Sequence, residues 1–106
     1  MLDFSPSDLK NYLDAATEKP LILDVREPWE YEKASLDNSL LVPMRELPTF
    51  VKELQPERSV IVVCHHGIRS RAVCRYLEDQ NFTNVINLFG GLDAWAKSVD
   101  PDMPTY

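Results

Sequence analysis

Cysteine, glycine and net positive charge are all scarce in this chain of 106 residues, and each scarcity excludes something. Two cysteines are too few for the disulfide framework of a small secreted domain. Three glycines, with no repeat and no low-complexity tract, leave no linker or fibrous architecture to consider. Eleven Lys and Arg against 17 Asp and Glu give a net charge of −6, so neither nucleic acid nor an anionic membrane is an expected partner. No apolar run approaches the roughly eighteen residues that span a bilayer. The opening "MLDFSPSDLK" has neither a basic nor an apolar segment, so no secretion signal is readable. What remains is 44% hydrophobic and 26% charged, ordinary globular proportions, and long enough for one core but not two. The expectation is a single domain over residues 1–106, cytoplasmic and monomeric, with free thiols.

Apolar pattern and punctuation divide the chain into alternating elements. "SPSDLKNYLDAA" begins with Ser5 as N-cap, Pro6 in the first turn and Asp8 at the third position, which predicts a helix with Leu9, Tyr12, Leu13 and Ala16 as its inner stripe. Short helices are also predicted at 27–34, 44–54 (interrupted by Pro48), 69–80 and 91–98. Four strands are readable, at 20–25, 39–43, 59–64 and 84–89. Their apolar runs are continuous rather than alternating, as in strands covered on both faces, so the fold class is α/β with a mostly parallel sheet. In such sheets ligands bind beyond the carboxyl ends of the strands. "SVIVVC" (59–64) is the most apolar strand, the most central by expectation, and Cys64 stands at its carboxyl end.

Cysteine is a nucleophile only as thiolate, and a reference pKa of about 8.5 leaves a few per cent ionised at neutral pH. A helix starting about four residues after Cys64 would let the turn "CHHGIRS" curl its N–H groups around the sulfur, with Gly67 supplying an unusual φ. Arginines 58, 69, 71 and 75 stand between Arg58 and Leu77 without an intervening acid, a local cationic field in an acidic chain. Each feature has a plain structural alternative: Cys64 as strand packing, the arginines as a solvated helix face, and His65 and His66 as surface loop residues. Cys64, His65, His66 and Cys74 carry metal-ligand atoms, but adjacent histidines in one turn, with neither a C-x₂-C nor an H-x₃-H pair, do not predict a metal site. A Cys64–Cys74 bridge is excluded on reach, because Cys74 lies about 9 Å along the helix and bridging needs Cα atoms within about 7 Å. Cys74 is expected to be half-buried packing.

"CHHGIRS" resembles the C-x-x-G-x-R-[ST] active-site loop of the rhodanese-like sulfurtransferases. In the same order, "LILDVREPWEYE" (21–32) is similar to their D-x-R-E-x-x-E-[FY] segment, "LLVP" (40–43) to the stretch before their proline, and "NVINLFGGLDAW" (84–95) to their closing strand, Gly-Gly and tryptophan. The resemblance covers essentially the whole chain. It implies a three-layer sandwich with a mostly parallel central sheet of about five strands flanked by helices. It also implies a reaction without metal or organic cofactor. Cys64 would attack a small anionic sulfur donor such as thiosulfate, carry the sulfur as a persulfide, and pass it to cyanide or a thiol, including a protein thiol. His65, His66, Gly67, Ile68, Arg69 and Ser70 would form the cradle, with Arg69 as anion anchor. Asp24 and Arg26 would support the loop from beneath, their alternative being a strand-end ion pair. Gly90, Gly91 and Trp95 would be turn and core. Related phosphatases and arsenate reductases use C-x₅-R. Here four residues separate Cys64 from Arg69, a smaller ring that favours sulfur over phosphate, and no aspartate follows as general acid. A non-catalytic docking module is the remaining alternative. One stretch departs from the pattern: "ASLDNS" (34–39) stands where the family has G-H-I-P-G-A, keeping only the apolar anchor, Leu36.

Overall fold

The apolar runs become the strands of one sheet. In the computed structural model, which describes residues 1–106, these are β1 (Leu2–Phe4), β2 (Leu21–Asp24), β3 (Ser39–Leu41), β4 (Val60–Val63) and β5 (Val85–Leu88). All neighbours are parallel, in the order β1-β5-β4-β2-β3. The helices are α1 (Pro6–Ala15), α2 (Pro28–Lys33), α3 (Leu47–Phe50), α4 (Ile68–Asp79) and α5 (Gly91–Ser98). β4 is the central strand, as its composition predicts, and all four of its residues are buried.

Alternation along β4 divides the core into two layers. Val60 and Val62 point to one side, where they meet Leu47, Val73, Cys74 and Leu77 of α3 and α4. Ile61 and Val63 point to the other, where Leu9 of α1 and Leu92 and Trp95 of α5 close over them. Each fully buried side chain of this size contributes roughly 1.5–3 kcal/mol, so a sheet with no polar face needs helices on both sides, and the three-layer sandwich follows. The start of α1 is a reciprocal cap: Ser5 Oγ accepts from the Asp8 amide at 3.1 Å and the Asp8 carboxylate accepts from the Ser5 amide at 3.2 Å.

Three local features differ from the sequence reading, and a fourth, the 34–39 departure, takes a definite form. β1 was not expected. It is a three-residue edge strand with Asp3 at its centre, too short to show a period, and it pairs Leu2 with Ile86. Residues 44–54 form two 3₁₀ turns, Met44–Glu46 and Val51–Glu53, around the single turn of α3, because Pro48 removes an N–H from the middle of the segment. Cys74 is fully buried rather than half-buried. The 34–39 departure is a tight turn in which Asn38, at φ 63°, takes the left-handed conformation, Leu36 stays in the α1/α5 layer, and Ser39 Oγ donates to the Leu36 carbonyl at 2.6 Å. No helix is long and apolar enough to cross a membrane.

Candidate active site

β4 ends at Val63, and the next residue turns its side chain under the start of α4. Cys64 Sγ accepts hydrogen bonds from the Gly67 amide at 3.1 Å and the Ser70 amide at 3.3 Å. Gly67 is the N-cap of α4 and has no side chain with which to cap it; Ser70 is the third helical residue. The sulfur therefore fills the place of the N-cap oxygen, and Cys64 is 1% exposed. The amides of Ile68 and Arg69, between these two, have no acceptor in the protein.

Two glycines make this curl sterically accessible. Gly67 has φ +89°, and α5 approaches so closely that a Cβ on Gly91 (φ +64°) would lie 2.3 Å from the His65 carbonyl oxygen. That approach fixes the loop's polarity. The Leu92 and Asp93 amides, at the start of α5, donate to the carbonyls of Cys64 and His65 at 2.9 and 3.0 Å, so these oxygens face α5 while the Gly67 and Ser70 amides face the sulfur.

Two hydrogen-bond chains lead away from the loop. In one, the Cys64 thiol donates to Ser70 Oγ at 3.3 Å, the Ser70 hydroxyl donates to Asn87 Oδ1 at 2.5 Å, and Asn87 Nδ2 donates to Asp3 at 3.0 Å. Asp3 also receives Arg71 at 2.8 Å. The other starts at the buried pair Asp24–Arg26, where Nη2 of Arg26 lies 2.8 Å from Asp24 Oδ2. Arg26 Nη1 donates to the Tyr106 hydroxyl at 2.9 Å, Tyr106 donates to Glu30 Oε2 at 2.7 Å, and the Glu30 carboxylate takes both terminal nitrogens of Arg69 at 2.7 and 2.9 Å. The Tyr106 ring stacks on His65 with centroids 4.1 Å apart.

A family model described as "Rhodanese-like domain" matches residues 5–98. The chain belongs to the rhodanese-like family. Among curated proteins it is 40% identical over 89 residues to a rhodanese-like/PpiC domain-containing chloroplast protein of Arabidopsis thaliana, covering 80% of this chain and 30% of that protein. It is 37% identical over 83 residues, 78% of each chain, to a protein named sulfurtransferase from Allochromatium vinosum. This chain therefore spans less than a third of the Arabidopsis protein but most of the bacterial one. Among solved structures, a rhodanese-like domain protein from Staphylococcus aureus superposes with a TM-score of 0.84 at 28% identity, covering 100% of this chain and 99% of that one.

Within this rhodanese-like fold the structure brings together Cys64, Gly67 and Ser70 directly, with His65, His66, Ile68 and Arg69 in the same turn. Asp24 and Arg26 reach that turn only through Tyr106 and Glu30. The free cationic field read from residues 58–77 is corrected at two of its four arginines, where acids from other elements pair with them: Glu30 of α2 on Arg69 and Asp3 of β1 on Arg71. Both terminal nitrogens of Arg69 are thus engaged away from the sulfur. The Arg69 ion pair, with burial opposing it and the Glu27 amide and Tyr106 assisting, lowers the Glu30 pKa from 4.5 to about 2. Burial, then the hydrogen bond to Glu30, pushes the Tyr106 phenol up to about 12. Burial and the neighbouring His66 lower His65, whose Nδ1 is enclosed with no hydrogen-bond partner. Burial pushes the Cys74 thiol up to about 12.

Four participants escaped the sequence reading: Glu30, Tyr106, Asn87 and Asp3. Glu30 lies inside the segment that carries the family resemblance, and its spacing three residues after Glu27 was a readable signal. Asn87 also lies inside such a segment, a polar side chain within the apolar run of β5, whereas Asp3 and Tyr106 have no such signal, since they act across 84 and 76 residues of chain. Donor atoms of His65, His66 and Asp93 lie within 4.8 Å of one another. The Asp93 carboxylate is already held by the Lys97 ammonium at 2.9 Å, and an ion with bonds of about 2 Å needs donors roughly 3.3 Å apart, so this trio as placed is not a coordination set. The largest cleft, about 500 Å³ between Lys10, Ile22, Asp37 and Trp95, lies at the amino ends of β2 and β3, away from Cys64.

Proposed function

We propose that this chain is a sulfurtransferase whose Cys64 carries sulfane sulfur as a persulfide. The thiolate attacks the outer sulfur of a donor such as thiosulfate; the new S–S bond forms as the donor's inner S–S bond breaks and sulfite leaves. An acceptor thiolate or cyanide then attacks the outer sulfur, and Cys64 departs as thiolate. The observation that carries the reading is the Cys64 sulfur held by the Gly67 and Ser70 amides at 3.1 and 3.3 Å, because amide hydrogens aimed at the sulfur are placed to stabilise the charge that develops there as sulfur is transferred. The acceptor-free amides of Ile68 and Arg69 lie between these two and supply further donors for the outer sulfur. When Cys64 ionises, the Ser70 hydroxyl turns from Asn87 toward the sulfur. The relative named sulfurtransferase supports the same reading.

Intact mass after thiosulfate treatment tests it. The wild-type chain gains one sulfur atom and releases it as thiocyanate on addition of cyanide, and Cys64→Ala does neither. Turnover by Cys64→Ala equal to wild type would overturn the proposal. The near-complete burial of Cys64 favours a second reading, a docking module without chemistry, and the same measurement decides it: no adduct on the wild-type chain.

A further inference from the structure

The cleft at the amino ends of β2 and β3 has a volume of about 500 Å³, within the roughly 300–1,000 Å³ of small-molecule sites. No residue of the Cys64 loop lines it. Leu36, Trp95, Val99 and Met103 belong to the core layer under α1 and α5, and each also lines the cleft, so at this end the two helices leave part of that layer uncovered. Both walls are held by hydrogen bonds. On one, the 34–39 turn, Ser39 Oγ donates to the Leu36 carbonyl at 2.6 Å and the Tyr31 hydroxyl donates to the Ser39 carbonyl at 2.8 Å. On the other, the Val99 and Asp100 amides donate to the Trp95 carbonyl at 2.8 and 3.1 Å, and the Met103 amide donates to the Asp100 carbonyl at 3.0 Å. Walls already fixed cost a ligand little ordering on binding. The first of them is the stretch where the chain departs from the family pattern, so this cleft is no part of that pattern.

Four charged side chains line the cleft, two of each sign. Lys10 pairs with Asp14 at 3.2 Å, and Asp100 accepts from the Asp102 amide at 3.2 Å. Lys19, in the segment after α1, and Asp37, in the 34–39 turn, form no ion pair, either with other residues or with each other. One free cation and one free anion thus border a single apolar cavity without touching. We propose that the cleft binds a free α-amino acid with a large apolar side chain. Its carboxylate meets Lys19, its ammonium meets Asp37, and its side chain packs against Leu36, Trp95 and Met103. The indole of Trp95 favours an aromatic ring there. Burial of the apolar side chain supplies most of the affinity, and the two charges supply the selection. A ligand with one charge answers only one of the two rim groups and leaves the other unmatched.

Backbone amide spectra of the isotope-labelled full chain test this, with phenylalanine as the probe. Two analogues each lack one charge: hydrocinnamate has no ammonium and phenethylamine no carboxylate. Phenylalanine saturably shifts the amides around residues 35–38 and 99–103 and the Trp95 indole N–H, and each analogue binds about tenfold more weakly. Lys19 and Asp37 are exposed, so substituting them leaves the fold intact. Lys19→Ala weakens phenylalanine about tenfold and leaves phenethylamine unaffected. Asp37→Ala weakens phenylalanine as much and leaves hydrocinnamate unaffected. No saturable shift with phenylalanine up to about 10 mM, or equal binding of all three compounds, overturns the site. The readout is binding alone, so that failure leaves the persulfide chemistry intact. A chain that binds phenylalanine but gains no sulfur from thiosulfate overturns the persulfide reading and not this one.

Discussion

Glu30 gathers four donors on two oxygens: the Glu27 amide and one Arg69 nitrogen on Oε1, and the other Arg69 nitrogen and the Tyr106 hydroxyl on Oε2. A carboxylate so saturated stays ionised in the folded state until about pH 2, against 4.5 for the free group. Its folded pKa is the lower one, so its contribution to stability is fully present above about pH 4.5 and disappears as pH falls toward about 2. A shift of that size alone corresponds to roughly 3 kcal/mol. The Arg69 side chain is 37% exposed, and solvent screening reduces the contribution to about 1–2 kcal/mol. Urea midpoints recorded across this acid range should therefore fall less steeply for Glu30→Gln than for wild type. Gly91 tests the loop by sterics instead of charge. Gly91→Ala sets a methyl 2.3 Å from the His65 carbonyl at a φ of +64°, and should cost about 2–4 kcal/mol. It should also abolish sulfur uptake in the mass assay, because α5 can no longer hold the loop carbonyls outward.

At the scale of elements, α4 owes its start to a sulfur atom. Cys64→Ala leaves the Gly67 and Ser70 amides without an acceptor and should destabilise the protein by about 1 kcal/mol, as loss of an N-cap does. Cys64→Ser, whose oxygen accepts hydrogen bonds but cannot carry sulfur, should recover part of that in chemical denaturation while remaining inactive. The elements legible in the sequence were those with a strong internal signal. β4 and β2 showed continuous apolar runs because both sheet faces are covered, and α1 showed its whole cap in Ser5, Pro6 and Asp8. The loop was legible as far as its own residues went: Gly67 at positive φ and the helix beginning right after it followed from spacing. What escaped was set by distant partners. β1 exists because β5 offers it an edge, and Asp3 within it is lowered in pKa chiefly by its bond to Asn87, 84 residues away. Arg69 looked like a free cation because Glu30 comes from another element. Cys74 looked half-buried because only the assembled α3 segment covers that side of α4.

For the molecule as a whole, the consequence lies in where the chain's distant parts meet. Asp3 approaches the Cys64 loop through Asn87 and Ser70, and Tyr106 approaches it through Glu30 and Arg69 and by stacking on His65. Asp3→Ala removes the acceptor of Asn87 Nδ2 and Arg71, and should slow sulfur uptake about tenfold with little change in secondary structure by circular dichroism. The buried pair beneath the other chain is less forgiving. Asp24→Ala strands Arg26 without a counter-charge in the interior and should cost about 3–5 kcal/mol in urea denaturation. Support arriving from residues 3 and 106 also makes the loop's integrity a property of the complete fold. Its Gly67 and Ser70 amide protons should then exchange with deuterium only when the entire protein opens, as slowly as those of β4, although they belong to a surface turn.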